Sequence, residues 1–157
     1  MESTLPLRRR DLLIIGGAAG LFFSTGCAIL RGGAKHPIYE KSEAALKNGV
    51  LRIPLADITP MQPGAVLEIK PGGPYPDLLL TPDGMGSFTV VTAHCTHKGC
   101  VVDHDAATSQ WKCPCHGSEY SANGQVTQGP AKDPLKVPPS KVDSDAFVID
   151  LTALAQA

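Results

Sequence analysis

Two patterns of apolar positions divide the chain. Leu12 to Leu30 is an uncharged run of nineteen residues. At ~1.5 Å rise per residue a helix of that length spans roughly 28 Å, about the thickness of a hydrocarbon core. Gly16, Gly17, Gly20 and Gly26 dilute the run, so it is only moderately apolar. From Val50 onward the apolar residues come instead in short strand-like stretches, at 50–54, 65–70, 77–81, 87–92, 125–127, 135–137 and 146–150. Turn signals at 60–64, 71–76 and 82–84, rich in proline and glycine, separate them. That spacing predicts an antiparallel β-sandwich or barrel of about a hundred residues with a modest core. Between the two regions, the glycines and proline of 31–37 make a linker, followed by a helix-like stretch over 40–47. The expected divisions are a cytoplasmic leader at 1–11, a membrane or signal helix at 12–30, a linker or hinge at 31–49 and a β-domain at 50–157.

Composition supports this picture. The chain is 43% hydrophobic and 18% charged, with 14 prolines and 16 glycines, which suits short strands and turns better than long helices. The net charge is −1, and the basic cluster is Arg8-Arg9-Arg10 at the extreme N-terminus. Nothing in this charge pattern suggests a nucleic-acid partner. The β-domain itself is mildly acidic, which does not identify what it binds.

Chemistry concentrates in two short boxes. Cys95-Thr96-His97-Lys98-Gly99-Cys100 is answered thirteen residues later by Cys113-Pro114-Cys115-His116-Gly117-Ser118. Four cysteines and two histidines are two candidates too many for one four-ligand centre. One surplus cysteine per box suits a disulfide that staples the boxes together. A two-thiolate, two-imidazole set could hold one tetrahedral zinc, or a [2Fe-2S] cluster with cysteines on one iron and histidines on the other. A zinc finger normally pairs two cysteines in a hairpin and two histidines in a helix. Here each box supplies both kinds of donor, so each can span both irons, and the spacing favours the cluster.

The two boxes resemble the cluster-binding motifs of the Rieske iron-sulfur proteins, and Gly129-Pro130-Ala131 resembles the start of that family's third, covering loop. The resemblance implies Cys95 and Cys113 on the buried iron, His97 and His116 on the outer iron, and Cys100 disulfide-bonded to Cys115. It implies an all-β Rieske fold of stacked antiparallel sheets with the cluster at one tip. Ser118 and Tyr120 stand where high-potential members place hydroxyls that bond a bridging sulfide and a ligand cysteine sulfur. Hydrogen bonds to sulfur stabilise the reduced state and raise the potential, so the upper half of the range for such centres, roughly −150 to +300 mV, is expected.

The N-terminus fits export. Arg9-Arg10-Asp11-Leu12-Leu13 resembles a twin-arginine signal, with Asp11-Leu12 departing from the commoner phenylalanine. A pathway for folded proteins suits a cofactor assembled in the cytoplasm, and the arginines keep their end inside. The helix would then remain as a single anchor in the cytoplasmic membrane with the head in the periplasm, where a disulfide persists. Ser24-Thr25-Gly26-Cys27 is a weak lipobox, so lipid attachment at Cys27 after cleavage is an alternative, as is removal of the whole segment.

The resemblance also implies partners. Rieske subunits of bc or bf-type complexes accept an electron and a proton from quinol at the cluster tip and pass the electron to a c-type or f-type cytochrome beside cytochrome b, without catalysing alone. Two departures qualify this. Lys98 stands where leucine is usual, and Lys132 follows Ala131 where a second proline is usual. They raise the alternative of a Rieske subunit in another exported oxidoreductase, such as an arsenite oxidase-like enzyme. A free ferredoxin-type carrier is opposed by Cys100, Cys115 and the export segment. Elsewhere His36 and His104 read as solvated, His94 as packed on the sheet at a strand end, and Trp111 and Phe88 as core.

Overall fold

The computed structural model describes residues 36–40 and 46–155. The expected leader, the 12–30 helix, the twin-arginine stretch and Cys27 lie outside the described residues. Among those described, no helix is long and apolar enough to cross a membrane.

In chain order the elements are β1 (Ile38–Glu40), β2 (Leu46–Lys47), β3 (Val50–Pro54), a short helix α1 (Leu55–Ile58), β4 (Leu67–Lys70), β5 (Leu78–Pro82) and β6 (Phe88–Thr92). They continue with β7 (Asp103–Asp105), β8 (Gln110–Lys112), β9 (Glu119–Tyr120), β10 (Val126–Gln128), β11 (Ser140–Asp143) and β12 (Ala146–Asp150). Three four-stranded sheets result, ordered β1-β4-β5-β6, β10-β9-β8-β7 and β11-β12-β3-β2. All pairs are antiparallel except β1 with β4.

The run Leu78-Leu79-Leu80 explains how the sheets assemble. Successive strand residues point to opposite faces, and an unbroken apolar run marks a strand buried on both. Leu78, Leu80 and Val90 enter one core with Leu51 and Ile53 of β3 and Phe147 and Ile149 of β12. Leu79 and Val91, paired across β5 and β6, enter a second core with Trp111, Tyr120, Cys95 and Cys113. The first sheet therefore serves both cores, and the second core carries the two boxes. Leu79 is fully buried, and Leu79→Ala there costs about 2–5 kcal/mol.

Several expectations are corrected. The 40–47 stretch is not helical where described: β1 and β2 lie in the segment read as linker and pair with β4 and β3. Residues 135–137 form no strand. Leu135 N donates to Gly124 O at 2.8 Å, whereas Lys136 N donates to Thr92 Oγ1 at 3.1 Å, so successive residues bond to different neighbours and no ladder forms. Gly124 permits that approach, since a Cβ there would lie 2.6 Å from Leu135 O, and its φ is +78°.

The histidines also differ from expectation. His36 is largely buried, its Nε2 3.2 Å from Asp103 Oδ1. His104 is half-buried against Trp111, ring centroids 4.8 Å apart, and burial pushes its pKa down despite nearby Asp105. His94 is exposed and meets Val101 only through an isolated backbone bridge.

Candidate metal centre

The two boxes fold into equivalent loops. In the first, Cys95 N donates to Cys100 O at 2.8 Å and Gly99 N to Cys95 O at 2.8 Å. In the second, Cys113 N donates to Ser118 O at 2.8 Å and Gly117 N to Cys113 O at 3.1 Å. The same bonds at the same offsets place Cys95 and Cys113 in matching positions, each turn closed by a glycine with φ near +75° (75° at Gly99, 74° at Gly117). A left-handed backbone there favours glycine.

The donors sort by depth. Cys95 and Cys113 are free thiols, each 3% exposed. His97 is half-buried and His116 exposed, their rings meeting edge to face with centroids 4.9 Å apart. Cys100 and Cys115 form a disulfide. The sulfurs of Cys100, Cys113 and Cys115 lie within 4.8 Å of one another. Two of the three are already joined, so this grouping is the disulfide resting against the Cys113 thiol, not a three-thiolate ligand set.

Polar contacts converge on Cys95. Tyr120, fully buried, places its hydroxyl 3.1 Å from Cys95 Sγ. Thr96 N donates to the same hydroxyl at 3.2 Å, and Thr96 Oγ1 lies 3.1 Å from it. Burial raises the Cys95 pKa, yet hydrogen bonds from Tyr120, the His97 backbone, Cys113 and Ser118 together hold it below its ordinary value. Burial pushes the Cys113 thiol up, with Cys95 adding to the rise. The Tyr120 phenol is raised by burial and then by Cys95.

A third loop covers the pair. Ala131 N donates to the fully buried Ser118 Oγ at 3.0 Å, and Thr96 Oγ1 donates to Asp133 O at 2.7 Å. Gln128 Nε2 adds a bond to Gly117 O at 3.0 Å. Thr96 and Gln128 were missed in the sequence. A threonine between Cys95 and His97 was a visible signal; Gln128 had none, since its partner is a backbone carbonyl eleven residues away.

This donor set fits a metal group. The same two loops supply two buried thiols and two imidazoles in contact with each other, and His97 Nδ1 is buried without a hydrogen-bond partner. An unpaired buried nitrogen is costly unless something takes its lone pair. Two soft sulfur donors inside and two imidazoles outside suit a two-iron centre with distinct irons.

Comparison with known proteins agrees. Residues 52–139 match the model of the Rieske [2Fe-2S] domain, whose description names the cofactor. The cytochrome b6-f complex iron-sulfur subunit of Gloeobacter violaceus is 32% identical over 160 residues, covering 92% of this chain and 83% of that protein. The ubiquinol-cytochrome c reductase iron-sulfur subunit of Blastochloris viridis is 46% identical over 67 residues, 42% of this chain and 37% of that protein. The first relatives matched are covered over only 33% of their length. Among solved structures, the plasma membrane Rieske protein PetC3 of Synechocystis PCC 6803 aligns with TM-score 0.51 and 31% identity, covering 63% of this chain and 97% of that one.

Proposed function

The chain belongs to the Rieske [2Fe-2S] family, and from that premise we propose that it carries electrons from quinol to a cytochrome as a subunit of a membrane quinol-oxidising complex. Cys95, Cys113, His97 and His116 would hold the cluster, thiolates on one iron and imidazoles on the other. When bound, the cluster supplies one-electron chemistry.

The observation that carries the high-potential reading is the Tyr120 hydroxyl 3.1 Å from Cys95 Sγ. A hydrogen bond to a ligand sulfur stabilises the reduced state, and the effect is large where the bond is buried. Ser118 acts in the same sense: its oxygen accepts from Ala131 N, which leaves its own proton for sulfur. The disulfide lies beside Cys113 and joins the two loops covalently.

Proton handling falls to the histidines. His97 Nδ1 is buried without a hydrogen-bond partner and would serve the cluster, which would leave Nε2 free for a proton. His116, the more exposed ring, would face the quinol, hold a proton at its outer nitrogen in the reduced form and release it after oxidation. Electron and proton then arrive together, as a quinol delivers them.

The names of the relatives, a cytochrome b6-f subunit and a ubiquinol-cytochrome c reductase subunit, favour such a complex. The same reading includes a 12–30 anchor, export by the twin-arginine route and a periplasmic head. Exposed Lys98 and Lys132 favour the second reading, a Rieske subunit of another exported oxidoreductase.

The test is a redox titration of the cluster-loaded full chain at a series of pH values, followed by its EPR signal. A high midpoint that falls with pH above neutrality supports the quinol reading. A low, pH-independent midpoint overturns it in favour of a ferredoxin-like carrier.

A further inference from the structure

Charge is unevenly distributed between the two ends of the described domain. The loops that meet at the metal centre, 93–102, 113–118 and 129–139, carry Lys98, Lys132 and Lys136 with a single acid, Asp133. The remainder of 46–155 carries five lysines and arginines against ten carboxylates. Its cations are largely engaged: Arg52 with Asp143, Lys70 with Glu68, Lys112 with Asp105. Lys98, Lys132 and Lys136 are exposed and form no salt bridge among the described residues.

Their backbone is held in place. Lys132 sits between Ala131, tied to Ser118 Oγ, and Asp133, whose carbonyl accepts from Thr96 Oγ1. Lys98 sits between His97 and Gly99, whose N–H is bonded to Cys95 O. Lys136 is bonded through both its backbone groups to Thr92, at the end of β6. Three exposed lysines thus stand on hydrogen-bonded backbone in the loops that carry and cover the cysteines and histidines. An apolar docking pocket would bury them without partners, at high cost.

We propose, on the basis of the electron-transfer reading above, that the metal-centre end is a cationic docking face that fits an acidic surface on a partner redox protein. Complementary charge at such a face orients the encounter and raises the association rate, with a steep dependence on ionic strength.

The full chain has net charge −1, so whole-molecule charge and local charge predict opposite behaviour toward anions. The experiment is stopped-flow oxidation of the reduced, cluster-loaded chain by ferricyanide and by tris(phenanthroline)cobalt(III), each taking one electron and leaving the protein oxidised. Ionic strength is varied between about 10 and 300 mM, where the Debye length falls from ~30 Å to below ~10 Å.

The proposal expects the ferricyanide rate to fall several-fold with salt and the cobalt rate to rise. Poly-L-glutamate, an acidic polypeptide probe, should compete with ferricyanide at low salt. Lys98→Glu/Lys132→Glu should reverse both salt trends with the EPR signal retained, and the milder Lys98→Gln should halve the ferricyanide slope or more. Lys141→Glu, exposed on β11, should behave as the parent. A ferricyanide rate that is flat or rises with salt, or indifference to poly-L-glutamate, would overturn the docking face. Absence of the Rieske EPR signal from the assembled parent chain would instead sink the functional reading.

Discussion

Tyr120 Oη lies 3.1 Å from Cys95 Sγ, across 25 residues of sequence, and receives the Thr96 N–H at 3.2 Å. The tyrosine has one proton to give. Thr96 Oγ1 lies 3.1 Å away but already directs its own proton to Asp133 O, so it competes with sulfur as an acceptor. A thiolate, being charged, is the stronger of the two. Tyr120→Phe should therefore lower the midpoint potential. One hydrogen bond of about 1 kcal/mol corresponds to roughly 40 mV for one electron. Potentiometry with EPR detection checks this, and an unchanged midpoint with the signal intact would show that the hydroxyl does not reach sulfur.

Thr96→Val separates the two acceptors. It removes the competing oxygen and the tie to Asp133 while leaving the Thr96 N–H in place. The Tyr120 proton then goes wholly to sulfur, so the midpoint should hold or rise slightly, the opposite of Tyr120→Phe. A fall comparable to that of Tyr120→Phe would mean that the Thr96 hydroxyl orients the phenol instead of diverting its proton.

Ser118→Ala should act on both potential and stability. It strips a hydroxyl from the sulfur cage, lowering the midpoint, and leaves Ala131 N without its acceptor. An unsatisfied buried donor costs about 1–3 kcal/mol. Thermal unfolding and hydrogen exchange at Ala131 measure that cost. Unchanged exchange would show that the third loop does not depend on Ser118.

Removing the disulfide tests the staple. Cys100 and Cys115 are 15 residues apart, and closing such a loop stabilises by about 3 kcal/mol in the chain-entropy estimate. Cys100→Ser/Cys115→Ser should shorten the lifetime of the EPR signal far more than it alters the far-UV circular dichroism. Equal loss of both would make the bridge a support of the whole fold. As a ligand test, His116→Ala should abolish the Rieske spectrum; a preserved spectrum would remove His116 from the ligand set.

Acid stability follows from paired carboxylates. Asp105 lies 2.8 Å from Lys112, which with the Ala107 backbone holds its pKa down to about 2. Asp143, beside Arg52, and Asp150, beside Thr152, are also lowered. A depressed folded-state pKa stabilises the fold above the unfolded value near ~3.9 and loses that contribution as pH falls through the folded one. Asp105→Asn should flatten the pH dependence of stability between about pH 4 and 2, followed by Trp111 fluorescence. An unchanged acid limb would leave the pair without a role in it.

What the amino-acid sequence determined alone is what depends on near neighbours. Cys95-x-His97 and Cys113-x-x-His116 are legible because metal chemistry favours particular donor types at short, fixed spacing. The strands at 50–54, 78–82, 88–92 and 146–150 are legible because a short apolar run bounded by turn residues is a local property. Tertiary structure decided the rest. Leu78-Leu79-Leu80 announces burial on both faces, but only sheet order says which core takes Leu79 and which takes Leu80. Residues 135–137 are apolar enough for a strand, yet Leu135 bonds to Gly124 and Lys136 to Thr92, so no ladder runs along one neighbour. His104 is flanked by aspartates and reads as solvated until Trp111 closes over it. The bonds that shape the site, Tyr120 to Cys95, Thr96 to Asp133 and Ala131 to Ser118, span 25, 37 and 13 residues. Tyr120 and Ser118 stood out through the family resemblance, whereas the backbone partners Asp133 O and Ala131 N carry no mark in sequence. At Tyr120 and Ser118 packing buries the hydroxyl and removes water as a competitor, so that few partners remain within reach.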